Sequence, residues 1–125
     1  MQGRPWTVLS YAFRPFFLLG GLFAIVAILL WVAMLHAADF VPAARDPVAW
    51  HAHEMLFGFA GAAIAGFLLT AVATWTSRPP VAGALLGALV VAWIAGRAAM
   101  LLAQWLPFPV LRLADLVFPV LLSSI

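Results

Sequence analysis

The feature that most constrains this chain is the length of its apolar runs. The first run, residues 16–35, holds 20 residues without a charge. As a helix it would be about 30 Å long, which matches the hydrocarbon core of a bilayer. Only 8% of the chain is charged and 67% is hydrophobic, whereas an ordinary soluble domain is roughly 25% charged. A soluble fold of this size could not hide so much apolar surface, so the surrounding solvent must be lipid.

Composition also excludes several classes of function. The formal charge is only +2, and its six basic residues, all arginine, are scattered, so nothing indicates nucleic-acid binding. The absence of cysteine excludes disulfides, thiolate metal sites, iron–sulfur clusters and a cysteine nucleophile. A cleaved signal peptide is the alternative interpretation of the first run, but its apolar core would span only about 7–15 residues. No small-x-small cleavage site follows Leu35, which favours a retained helix.

The runs predict an all-α fold, a polytopic transmembrane helix bundle with three full helices and the start of a fourth. Asp46-Pro47 is typical of a helix start, with a capping carboxylate followed by proline at the first helical position. We predict one membrane domain over residues 1–125, with helices at about 16–35, 47–75, 82–106 and 110–125. The last run reaches Ile125 with no polar flank, as if the chain were cut inside a helix.

Arginine placement predicts the orientation, because cytoplasmic loops are enriched in basic residues. With the N-terminus inside, Arg4, Arg14 and Arg78 are cytoplasmic, whereas the reverse orientation puts only Arg45 inside. The N-terminus is therefore predicted to be cytoplasmic. The start of the second helix then lies at the outer side of the membrane.

That start carries the densest polar cluster of the chain, Trp50-His51-Ala52-His53-Glu54-Met55. Imidazole, carboxylate and thioether groups all coordinate metals. Residues two apart on an α-helix point about 200° apart, so His51 and His53 cannot bind one ion from a regular helix. His51 shares a face with Glu54 and Met55, above a stripe of small residues that lets another helix approach closely.

The candidate metal ligands are accordingly His51, His53, Glu54 and Met55, and His36 at the end of the first helix could join the same layer. The plainer alternatives are that these histidines are interfacial anchors and that Glu54 hydrogen-bonds a histidine ring. We favour His51 as the ligand that faces the bundle interior, and expect His53 to serve a second site or a partner helix.

Two arginines lie in the later apolar runs, and each guanidinium group must either be paired or reach water. Arg97 is predicted to face protein, since an arginine in hydrocarbon costs at least about 2.5–3.5 kcal/mol. Glu54 is its candidate structural partner, and the propionate of a cofactor is the functional alternative, which makes Arg97 a candidate cofactor-binding residue. Arg112 and Asp115 have the spacing of a salt bridge within one helix.

Together these segments resemble the NnrS family. The resemblance is carried by Phe13-Arg14-Pro15-Phe16-Phe17, by the core Trp50-His51-Ala52-His53-Glu54-Met55-Leu56-Phe57-Gly58, and by Gly66-Phe67-Leu68-Leu69-Thr70-Ala71-Val72 with Trp75-Thr76 and Arg78-Pro79. Ala73-Thr74 depart from the proline–asparagine pair expected before that tryptophan.

The resemblance implies a bacterial inner-membrane, multi-pass protein associated with haem and copper. It implies a role in the nitric oxide response and nitrosative stress resistance, often alongside denitrification. It also implies a longer protein of about a dozen helices, of which this chain would be an N-terminal third, so the expected partners are lipid and the remaining helices, with no redox partner identified. From the residues alone, a proton- or ion-conducting module built on His51, Glu54 and Arg97 stays open, as does a fragment without a complete site.

Overall fold

The computed structural model describes residues 7–36 and 46–125 and is all-helical over them. A short 3₁₀ turn, Thr7–Ser10, precedes the first long helix. The four long helices are α1 (Phe13–His36), α2 (Pro47–Trp75), α3 (Gly83–Leu101) and α4 (Phe108–Ser123). Helices α1, α2 and α3 are long and apolar enough to cross a membrane. The predicted all-α bundle is confirmed, while the orientation of its N-terminus stays a prediction.

The predicted bounds of the second helix match α2, those of the first and fourth helices differ by one to three residues, and the largest difference is at the end of the third helix. That helix was predicted to reach residue 106, but α3 ends at Leu101, and residues 102–105 form turns. The chain must reverse before α4 begins, and Pro107 disfavours helical backbone at residue 106, just before it. The fourth helix starts at Phe108, two residues earlier than predicted, and accommodates Pro109 in its first turn.

The start of α2 has the predicted cap. The Asp46 side chain accepts a hydrogen bond from the backbone N–H of Ala49 at 2.9 Å, and Pro47 occupies the first helical position. The cap satisfies one of the amide groups that a helix start leaves unpaired. This anchors the turn that leads directly into the histidine cluster.

Helix α1 packs on the small-residue stripe of α2. A Cβ built on Gly20 would lie 3.2 Å from the Cβ of Ala62, and a Cβ on Gly58 would lie 2.4 Å from the ring of Phe23. Only glycine fits opposite that ring, because real Cβ atoms do not approach so closely. The small residues therefore bring the two helices into close contact, as the stripe predicts.

The middle of α2 contains a π-helical segment, Glu54–Ala60, that the sequence did not predict. In a regular α-helix each step of four residues overshoots a full turn by about 40°. The wider i→i+5 turns of a π-segment reduce this drift. Glu54, Gly58 and Ala62, and Gly66 beyond them, are all buried as a result.

Helices α3 and α4 form a second close pair. A Cβ on Gly96 would lie 3.2 Å from the backbone oxygen of Ala114, so the two helices nearly touch there. Trp93 ties α3 to α2, since its indole N–H donates to the Gly58 carbonyl at 3.0 Å in the buried core. These contacts set the depth at which Arg97 and Asp115 face α2.

Candidate functional site: an ionic network and a stacked histidine

Arg97 bridges two carboxylates on neighbouring helices. Its Nη1 donates to Glu54 Oε1 at 2.8 Å and its Nη2 donates to Asp115 Oδ1 at 2.6 Å. The side chains of Arg97 and Glu54 are only 8% and 1% exposed. The predicted partnership of Arg97 with Glu54 is therefore confirmed, and Arg97 faces protein.

His53 closes the network from α2. Its Nδ1 lies 3.0 Å from Glu54 Oε1 and its Nε2 lies 3.0 Å from Asp115 Oδ2. Its ring also stacks on Phe57 with the centroids 4.6 Å apart. An imidazole that meets a carboxylate oxygen at each nitrogen can donate to both only when both nitrogens carry a proton.

In that form the network is electrically balanced, with two cationic and two anionic side chains drawn from α2, α3 and α4. Balance matters because an unpaired charge away from water is costly, and removing one partner of a buried pair typically costs 3–5 kcal/mol. Two buried atoms, Glu54 Oε2 and Arg97 Nε, have no hydrogen-bond partner. The network thus leaves one acceptor atom and one donor atom unused.

The predicted salt bridge between Arg112 and Asp115 is wrong. Asp115 turns toward α2 and α3, where it binds His53 and Arg97. The Arg112 guanidinium instead lies over the Phe108 ring, 4.5 Å from its centroid. The buried partners prevail because a charge away from water gains more from pairing than an exposed pair within one helix does.

His51 faces a different neighbour. Its ring stacks on the indole of Trp31 on α1, with the centroids 4.1 Å apart and the planes 12° apart. The two histidines therefore contact different helices, as their spacing of two predicts. His51 Nδ1 is buried and has no hydrogen-bond partner, an arrangement that ordinarily costs about 1–3 kcal/mol.

The remaining candidate ligands are spread over this end of the bundle. His36 is exposed, and its Nδ1 bonds the Val32 carbonyl of its own helix at 2.8 Å. Met55 packs against the apolar cluster formed by Ala27, Met34 and Trp50. Across residues 7–36 and 46–125, no group of three or more His, Cys, Asp or Glu side chains has a metal-binding arrangement.

Two features of the site were not predicted from the sequence. Asp115 was assigned only to its own helix, although its position on an apolar helix face could have suggested a role between helices. The stack of His51 on Trp31 was also not predicted, because the position of Trp31 near a helix end is typical of an interfacial tryptophan. Trp31 and Trp50 each bury an indole nitrogen without a hydrogen-bond partner.

Two cavities flank the ionic network. The larger, about 360 Å³, is lined by His53 and Asp115 together with Met100 and Arg112. The smaller, about 180 Å³, is lined by Arg97 and Asp115 and by apolar side chains. The network therefore borders open space on the side of α4, whereas His51 lines neither cavity.

This fold and site define a class of protein: an all-helical, multi-pass membrane protein with a buried ionic network across three helices. The chain matches the family model described as "NnrS protein" over residues 7–125. It therefore belongs to the NnrS family. No curated protein and no solved structure matches it significantly.

Proposed function

We propose that this protein is an integral membrane haem- and copper-binding protein of the bacterial inner membrane that serves the nitric oxide response and resistance to nitrosative stress. Family membership supports the membrane setting and the general role. The observation that carries the site is the buried, unpartnered Nδ1 of His51. Within the described chain it is the histidine nitrogen that is both buried and free of a hydrogen bond.

The other two histidines are less suited to ligation. Both ring nitrogens of His53 face carboxylate oxygens at 3.0 Å, so binding a metal there would first break an ion pair. His36 bonds its own helix and is exposed. His51 thus fits the role of the interior ligand, and His53 fits the role of a contact to a partner helix.

Haem and copper place different demands on these residues. A single imidazole meets the need of haem iron for one axial ligand. Copper takes imidazole nitrogen and thioether sulfur, and both donor types occur where α1 meets the start of α2. Haem iron and copper, when bound, supply one-electron chemistry and a binding position for a diatomic molecule such as nitric oxide.

The residues of this chain would orient and shield such a group. The Trp31 stack sets the plane of the His51 ring, and Trp31 itself packs against the apolar cluster of Ala27, Met34 and Trp50. Arg97 binds the Glu54 carboxylate, which is therefore engaged in the ionic network. His51 Nδ1 is thereby left without a hydrogen-bond partner, as a ligand nitrogen must be.

The test uses the full-length protein purified from membranes. The His51→Ala variant should lose haem or copper, measured by optical spectrum and elemental analysis, and cells that carry it should survive a nitric oxide donor less well. His36→Ala is the matched control and should retain both cofactors. Normal haem and copper in His51→Ala would contradict the assignment.

A second function, proton or ion conduction, is favoured by one observation. The buried Glu54 and Arg97 and the partly buried Asp115 and His53 form a connected polar path between helices, flanked by two cavities. Intramembrane ionisable groups of this kind often mark ion pathways. Colourless, metal-free protein that carries a proton or ion flux into liposomes, abolished by Asp115→Asn, would support this alternative over the first.

A further inference from the structure

The turn that follows α2 and the apolar groove beside it have no part in the proposed function. We propose that they form a binding site for one anionic phospholipid, with Arg78 on the phosphate and an acyl chain in the groove. Such a site lies at the opposite end of the bundle from the histidine cluster, and it would operate whether or not haem or copper is bound.

A helix-end motif fixes the position of Arg78. Its backbone N–H donates to the Ala73 carbonyl at 3.1 Å, and the N–H of Ser77 donates to the Thr74 carbonyl at 3.4 Å. Ser77 has a positive φ of 54°, so α2 ends in the bonding pattern of a Schellman motif. Two prolines follow Arg78, and each restricts its own φ and the backbone of the residue before it. The turn therefore presents Arg78 in a defined place.

The Arg78 guanidinium is available to bind an anion. Its side chain is exposed, and none of the carboxylates in residues 7–36 and 46–125 forms an ion pair with it. Each of the other arginines in those ranges, Arg14, Arg97 and Arg112, contacts side chains of its neighbours. A guanidinium matches a phosphate in geometry as well as in charge.

An apolar cavity of about 270 Å³ lies beside this turn, between the ends of α2 and α4. Leu69, Val81 and Leu122 line it and also pack on the main hydrophobic core, which fixes its inner wall. Among the lining residues only Thr76 and Arg78 are polar, and the Thr76 hydroxyl already donates to the backbone of its own helix at 2.7 Å. Arg78 is therefore the lining side chain with donors to spare.

The size and polarity of the cavity indicate part of a long amphipathic molecule. Pockets that enclose a small-molecule ligand usually measure about 300–1,000 Å³ and hold several polar groups, whereas this cavity is smaller and has one charged group. A soluble anion would gain nothing from the apolar lining. A phospholipid satisfies both parts, because its phosphate meets the arginine while a chain lies along the leucine and valine side chains.

The groove also lies at the right depth for a lipid headgroup. It is lined by the last turns of α2 and α4 and by the residues just before α3, the end of the bundle that is predicted to be cytoplasmic. Trp75, 71% exposed at the end of α2, has the position typical of an interfacial tryptophan. Basic pockets between transmembrane helices on the cytoplasmic side bind anionic headgroups.

The first experiment measures binding of phosphatidylglycerol to the full-length protein in detergent by native mass spectrometry. Arg78→Gln should weaken binding about fivefold, which corresponds to about 1 kcal/mol for one arginine at an anionic membrane surface. Arg14→Gln is the matched control, because it removes the same charge at the same end of the bundle from a guanidinium already bonded to Ser10. It should leave binding nearly unchanged. Equal losses in the two variants would overturn the site, since a general attraction to positive charge would then explain the binding.

The second experiment tests whether an acyl chain occupies the groove. Ala73→Phe places a ring in the cavity that Ala73 lines, so it should weaken phosphatidylglycerol binding while the charge of Arg78 is kept. Phosphatidylcholine should bind less tightly than phosphatidylglycerol, and glycerol phosphate, which has no chains, should not displace the lipid.

Three results would refute the proposal. Displacement by glycerol phosphate would identify a site for a soluble anion. Unchanged binding in Ala73→Phe would show that no chain enters the cavity. Unaltered protein that binds no phosphatidylglycerol, together with a loss of stability in Ala73→Phe, would show that another helix of the protein fills the groove.

Discussion

Replacing Arg97 with methionine tests whether the ionic network holds the bundle together. The change removes the two hydrogen bonds of 2.8 and 2.6 Å to Glu54 and Asp115 while keeping a long, flexible side chain. Glu54, at 1% exposure, then has only the His53 ring as a partner. Asp115 suffers less, because it is 16% exposed and also keeps His53.

We expect Arg97→Met to lower the free energy of unfolding by about 3–5 kcal/mol, the usual cost of breaking a buried ion pair on one side. At about 1.4 kcal/mol per tenfold change, this is roughly two to four powers of ten in the folded-to-unfolded ratio. Unfolding in mixed micelles with increasing SDS, followed by circular dichroism, measures the difference.

Arg112→Met is the matched control for this measurement. Arg112 is exposed, and its guanidinium contacts only the Phe108 ring among the interactions described, an interaction worth about 0.5–1 kcal/mol at exposed sites. The double variant Arg97→Met with Glu54→Gln should be less destabilised than the sum of the single changes, since no charge is left unpaired at Glu54. Equal effects of Arg97→Met and Arg112→Met would refute the reasoning.

Three further predictions concern packing, capping and orientation. Gly58→Ala should cost about 1–3 kcal/mol of stability, because its Cβ would meet the Phe23 ring at 2.4 Å. Gly21→Ala, with open space around it, should change stability by less than about 0.5 kcal/mol. Thermal unfolding in detergent compares the two variants. Asp46→Ala should cost about 0.5–2 kcal/mol by removing the cap of α2, and a denaturant titration that shows no loss would contradict this. A single cysteine introduced at Ser77, in a chain that has none, should react with an impermeant reagent only in inverted vesicles, and labelling in intact spheroplasts would reverse the predicted orientation.

The helices and the main ion pair were predictable because both follow from the cost of polar groups in lipid. Apolar runs long enough to span a bilayer define α1, α2 and α3, and the Asp46-Pro47 pair marks the start of α2. Arg97 needed a carboxylate partner, and Glu54 was a candidate from another helix. These inferences need no knowledge of how the helices pack.

The rest depends on packing and could not be predicted from spacing. The π-segment Glu54–Ala60 widens a helix whose sequence is compatible with a regular one. Asp115 has a suitable partner, Arg112, one turn away on its own helix. The close approach of α3 to α4 at Gly96 instead places the buried Arg97 against Asp115. A spacing rule within one helix cannot weigh that alternative.

The division of labour between the two histidines follows from this packing. His53 joins α2 to α4 through Asp115 and supports the carboxylate that holds Arg97, so it sets the rotation of α2 about its own axis. That rotation is what turns His51, two residues earlier, toward Trp31 on α1. If a change of His53 causes loss of a cofactor, the protein should also lose stability, because the network that orients His51 is broken. His51 has no part in the network and loses only its stack on Trp31 when it is changed, so that change should cost less stability than changing His53. This contrast separates a ligand from the residue that positions it.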